Sequence, residues 1–155
     1  AQAAAELGVG VEVQVFGRAP LAVSARCYHA RAHGRTKDNC KFICEDDPDG
    51  MPLSTGDGQP ILRVNGIQTQ SESYIELLQE LSGMGALGIT HARLMPQDVD
   101  MVAVAHVFDE VLDGRIDPDE GRARLSAICA GTSFSNGFWH GEAGYRHISR
   151  RADAA

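Results

Sequence analysis

Three cysteines fall within one short stretch, Cys27-Tyr-His-Ala-Arg-Ala-His-Gly-Arg-Thr-Lys-Asp-Asn-Cys40-Lys-Phe-Ile-Cys44. Thiolates are soft ligands that suit iron–sulfur clusters and zinc. A Cys-x3-Cys pair brings two sulfurs to one centre when its backbone curls into a turn. Cys27 then adds a third through a loop closure whose cost grows slowly with length. A fourth ligand is missing from the stretch. A structural zinc ion takes four protein ligands, and His29 and His33 are near enough in sequence to complete such a set. An iron–sulfur cluster asks for another cysteine, and Cys129 is the remaining one in the chain. The bland alternatives are that the three are ordinary thiols and that Cys129 is a buried helix-end residue.

Basic residues surround the cysteines: Arg26, Arg31, Arg35, Lys37 and Lys41. They form either a solvated face or a receptor for an anion beside the metal. Asp46, Asp47, Asp49 and Asp57 follow and read as a solvated acidic loop. The net charge of −7 argues against a general nucleic-acid-binding surface. The sequence contains no P-loop or dinucleotide fingerprint, no His-Glu-x-x-His pair and no Gly-x-Ser-x-Gly elbow. A Cys–His nucleophilic pair finds no selected partner among the six histidines. His140, beside Trp139, either meets a ligand or closes the domain.

The positioning elements follow from periodicity. The chain has 155 residues, enough for one domain with a real core, and we assign residues 1–150 to it and 151–155 to a disordered tail. Ala1–Leu7 reads as a helix capped by Gly8. Val11–Phe16 alternates strictly and reads as a strand that Gly17 ends, with Glu12 and Gln14 on its polar face. Pro20–Arg26 is expected to form a short helical turn, and the cysteine stretch a loop. Met51–Thr55 and Ile61–Val64 read as strands; Asn65, Gln68 and Thr69 either line a barrel mouth or serve a turn. Tyr74, Leu77, Leu78, Leu81 and Met84 fall at helical spacing, so a helix capped by Ser71 or Ser73 is expected, with that stripe in the core. Ile89–Leu94 is a further strand. Pro96 opens a helix whose buried face is Met101, Val104, Ala105, Phe108, Val111 and Leu112. Asp117–Glu120 opens the last helix, which runs to Ile128 or Cys129. Strand and helix alternate, which predicts an α/β fold with mainly parallel strands: a partial TIM-like barrel. The opening has the character of a helix already under way, so the chain reads as a fragment. It carries neither a secretory signal nor an apolar run of membrane-spanning length, and a cytoplasmic location is expected.

Several stretches together resemble the collagenase-like U-family peptidases: Ser24-Ala-Arg-Cys27-Tyr28, Cys40-x3-Cys44, Asp47-Pro-Asp-Gly-Met51, Leu62-Arg-Val-Asn-Gly-Ile-Gln-Thr69 and Ser135-Asn-Gly-Phe-Trp-His140. Within that family they are most similar to the branch serving oxygen-independent ubiquinone biosynthesis, and the likeness runs to about Tyr145. The resemblance implies a TIM-like barrel of which this chain is the C-terminal half. It implies a 4Fe-4S cluster with Cys27, Cys40 and Cys44 as three ligands and the fourth cysteine upstream of this chain. It implies a heterodimer with a UbiU-like subunit and O2-independent hydroxylation of a quinone-precursor ring, with prephenate as oxygen donor. Arg26 and Arg31 would then hold that dicarboxylate by charge-assisted hydrogen bonds. The rival expectations are hydroxylation of an RNA base, peptidase activity, and a cluster-bearing or zinc-bearing scaffold without catalysis.

Overall fold

The computed structural model describes residues 2–149. The tail 151–155, expected to be disordered, lies outside the described residues. The fold is mixed α/β. Its elements are α1 (Gln2–Glu6), β1 (Glu12–Val23), α2 (Tyr28–Ala32), β2 (Met51–Ser54), β3 (Pro60–Asn65), β4 (Gln68–Glu76), α3 (Leu81–Met84), β5 (His91–Leu94), α4 (Met101–Leu112), α5 (Pro118–Ile128) and β6 (Phe134–Ser135). Hydrogen-bonded strand neighbours run β2-β3-β4-β1-β5, with β6 on β4. The chain divides into two compact units, Arg18–Tyr74 and Ala1–Gly17 with Ile75–Ala155.

The unit over 18–74 is built on antiparallel pairing. β2 and β3 pair with Met51 opposite Val64, and β3 and β4 pair with Asn65 opposite Gln68 and Leu62 opposite Ser71. The expected mainly parallel arrangement is therefore corrected. Gly66, at φ +61, lets the chain reverse in a two-residue turn, and a tight hairpin joins only antiparallel strands. Asn65, Gln68 and Thr69 serve this hairpin. The core of the unit includes Arg18, which is 2 % exposed. Its guanidinium donates to the Ser71 carbonyl at 2.9 Å, to the Glu72 carbonyl, and to both carboxylate oxygens of Asp49. Its Cζ stands 4.8 Å from the Tyr74 ring centroid, and the Tyr74 hydroxyl donates to Asp49 at 2.9 Å. A buried charge is tolerable only when paired and hydrogen-bonded, as this one is.

In the other unit, β1 runs parallel to β5, with Glu12 opposite His91 and Phe16 opposite Leu94. Helices α4 and α5 supply Val104, Val107, Phe108 and Leu125 to a core that also holds Val15, Phe16, Leu77, Leu78, Leu81 and Met84. The Phe16 and Phe108 rings meet edge to face at 6.0 Å, a favoured aromatic geometry. A Cβ on Gly121 would stand 2.8 Å from the Val111 methyl, so only glycine lets α5 approach this closely. Asp100 and Asp117 accept backbone N–H groups at the starts of α4 and α5.

Several local expectations are corrected. β1 does not stop at Gly17; it continues through Pro20 to Val23, replacing the expected helical turn, and Gly17 (φ +96) sits inside it as a kink. Tyr74 to Met84 is not one helix. β4 runs through Tyr74 to Glu76, and only short helical turns follow. Ser71 and Ser73 lie in that strand; the Ser71 hydroxyl accepts from the Ala19 amide at 2.8 Å and donates to the Ser73 carbonyl at 2.6 Å. The apolar set is nonetheless buried as expected. α4 begins at Met101, not near Pro96, because Asp100 provides the cap; Ala105 and Leu112 are exposed and Val107 takes a core position instead.

Candidate functional site

The three cysteines lie in the 18–74 unit, carry free thiols and are half-buried. Cys27 is the N-cap of α2, a helix where a loop was expected. Its sulfur accepts from the Ala30 amide at 3.4 Å. Between Cys40 and Cys44 the chain does curl: Lys41 and Phe42 both take left-handed conformations, at φ 50 and φ 53. Non-glycine residues seldom adopt this region, and two in succession mark an over-determined turn. The Ile43 amide closes it on the Cys40 carbonyl at 3.2 Å, and Cys44 then sits in a 3-10 turn over Ile43–Asp46. Arg35 staples the loop from outside, donating to the Cys40 carbonyl at 2.9 Å. Of the basic cluster, Arg35 thus has a structural role. Arg26 and Arg31 are exposed, and neither guanidinium makes an ion pair among the described residues.

The donor set suits an iron–sulfur cluster in kind: three half-buried thiols on short turns of one unit. It does not supply a fourth thiolate in this unit. Cys129 ends α5 and is 1 % exposed, the usual state of a lone core cysteine.

A second constellation, in the other unit, was only half visible in the sequence. Glu76 and Glu80 are each 2 % exposed. His140 Nε2 stands 2.8 Å from Glu80 Oε1, and Asn136 Nδ2 donates to the same oxygen at 3.2 Å. His147 Nε2 stands 3.4 Å from Glu76, whose other oxygen accepts the Leu78 amide at 2.6 Å. Burial raises the Glu76 carboxyl above its ordinary range, against the Leu78 amide and His147, which favour the charged form. Asn136, Gly137, Phe138 and Trp139 line a cleft of about 230 Å³ with Gln14 of β1. His140 therefore closes the unit by pairing with a buried carboxylate. Glu12, by contrast, pairs with Arg93 at the surface. The Ser135–His140 segment signalled this region; Glu76 and Glu80, spaced like a solvated helical pair, did not.

No helix among the described residues is long and apolar enough to cross a membrane. No solved structure matches the chain. The family model described as Peptidase family U32 matches residues 1–149, so the chain belongs to that family.

Proposed function

We propose that this chain is the thiolate-bearing part of a UbiV-like iron–sulfur subunit, acting with a UbiU-like partner in O2-independent hydroxylation of a quinone-precursor ring. The observation that carries the reading is the pair of constrained thiol-bearing turns in a member of this family: Cys27 on a helix cap, and Cys40 and Cys44 on a doubly left-handed turn. Cys27, Cys40 and Cys44 would hold three corners of a 4Fe-4S cluster, with the fourth ligand supplied from outside this chain, as in the C-terminal half of a TIM-like barrel. Such a cluster supplies electron transfer. The chain's own contribution is to hold the thiolates and to present Arg26 and Arg31, whose exposed guanidinium groups suit a dicarboxylate such as prephenate. The net charge of −7 disfavours the RNA-base reading, since phosphate contacts need a basic surface. A cytoplasmic location suits free thiols.

Iron and acid-labile sulfide analysis of anaerobically reconstituted protein tests the reading. A form extended to include the upstream cysteine should hold about four of each, and this chain alone clearly less. Cys40→Ser or Cys44→Ser should empty the extended form. Zinc without sulfide in both forms overturns the proposal. Arg26→Gln and Arg31→Gln should weaken use of the oxygen donor while leaving iron content intact; unchanged activity in both removes the anion-binding role.

A further inference from the structure

We infer that His29, His33 and Asp47 form a second, thiol-free site for a borderline divalent cation of the Zn2+ or Fe2+ class. One ligand atom from each lies within 4.8 Å of the others, and no cysteine belongs to the set. All three residues are in the 18–74 unit, where His29 lies in α2, His33 ends it and Asp47 ends the 3-10 turn.

The case rests on His29. It is fully buried, and its Nδ1 lies 3.2 Å from the Val64 carbonyl. A carbonyl only accepts, so Nδ1 carries the proton. In a neutral ring this leaves Nε2 with its lone pair. That atom is buried without a hydrogen-bond partner, yet an Asp47 carboxylate oxygen stands 2.9 Å away, off the line a ring N–H would take. Two electron-pair donors facing each other at this distance repel unless a cation lies between them. An imidazole whose other nitrogen donates to a backbone carbonyl is the arrangement that metal-bound histidines adopt, because it fixes tautomer and ring orientation. The second imidazole, four residues on, faces the first with ring centroids 5.6 Å apart. Histidines at i and i+4 on one helical face are a recurring metal-binding pair.

Two imidazoles and one carboxylate suit zinc or ferrous iron better than magnesium or calcium. Bonds of about 2.0–2.1 Å at tetrahedral angles place ligand atoms roughly 3.3 Å apart. His33 is exposed and Asp47 half-buried, so both have room to close that small difference, and the exposed side leaves a coordination position for water. The competing account is a proton on Nε2, giving a buried imidazolium–carboxylate pair that binds no metal.

Co2+ titration of the whole chain separates the two, because thiolate ligation gives an intense charge-transfer band and nitrogen–oxygen ligation gives only weak visible bands. The triple variant Cys27→Ser/Cys40→Ser/Cys44→Ser should bind one Co2+ with the weak bands alone, displaced by Zn2+. Adding His33→Ala or Asp47→Asn should lower that affinity by about tenfold or more. A folded triple variant that binds no Co2+ overturns the proposal. If the triple variant fails to fold, wild type and His33→Ala decide it. Loss of one bound Co2+ with the charge-transfer band intact supports the site; unchanged stoichiometry, or loss of the band itself, overturns it.

Discussion

The two regions richest in ionisable residues are held by opposite means. Around Glu76 and Glu80 the chemistry is buried in a unit whose apolar core fixes it: Leu77, Leu78, Leu81, Val104, Val107, Phe108 and Leu125 are all nearly or fully buried. Around Cys27, Cys40 and Cys44 there is little apolar packing. Turns, a five-residue helix and the Arg35 bond to the Cys40 carbonyl set the positions, and the thiols stay half-buried. The first region has most of its interactions made, although Glu80 Oε2 is buried without a hydrogen-bond partner. The second presents three half-buried thiols and, in Arg26 and Arg31, two exposed guanidinium groups that make no ion pair among the described residues. Segments held by few apolar contacts open at lower free-energy cost than core segments, and binding residues commonly lie on such segments.

Stability measurements should break or sharpen this contrast. The largest effect is expected from Phe108→Ala, which removes a buried ring from the Phe16 contact and should cost about 3–5 kcal/mol by urea unfolding. Next is Asp49→Ala in the 18–74 unit. It strips the buried Arg18 guanidinium of its counter-ion, and because Asp49 itself is about a quarter exposed, the cost should be about 2–3 kcal/mol. Cys40→Ser should cost less than about 1 kcal/mol in the cluster-free chain, because the thiol is half-buried; on the proposed reading it also abolishes iron loading. If Cys40→Ser destabilises the cluster-free chain as strongly as Phe108→Ala, the cysteine region is core, and the contrast fails.

What the sequence showed tracks the same division. The core was legible because apolar spacing reports burial: Tyr74, Leu77, Leu78, Leu81 and Met84 are all inside. Their element is harder to read because strand and helix periods both fit a short apolar run with serines before it; β4, paired with β3 over Gln68–Ser71, continues to Glu76 and takes in Tyr74, while Leu78, Leu81 and Met84 fall in short helical turns. The strand directions escape the sequence for a related reason: alternating strand and helix signals do not report which strands pair, and the turn at Asn65-Gly66 joins β3 and β4 as an antiparallel hairpin. The cysteines, Arg26 and Arg31 were legible as residue types at a spacing. Arg35 was not separable from them until its bond to the Cys40 carbonyl was seen. The role of His29 was open to view only in part, since Val64 and Asp47 reach it across the fold.

The smallest expected effect is a change of slope with pH. The Glu76 carboxyl is raised in the folded chain, chiefly by burial. Well below the ordinary glutamate value of 4.5, both folded and unfolded chains carry the proton and the burial cost is absent. As pH rises, the unfolded chain releases its proton first while the folded chain retains it. Stability therefore declines through the interval between the two values and levels off above the folded one. Glu76→Gln keeps an oxygen for the Leu78 amide and removes the ionisation. Relative to wild type, it should gain stability steadily from acid to neutral pH, read as a growing difference in urea midpoint. His147 opposes this, because its contact at 3.4 Å favours the charged carboxylate. A difference that shrinks toward neutral pH would show that the His147 pairing outweighs burial, and that this region, like the cysteine turns, is organised by charge more than by its apolar core.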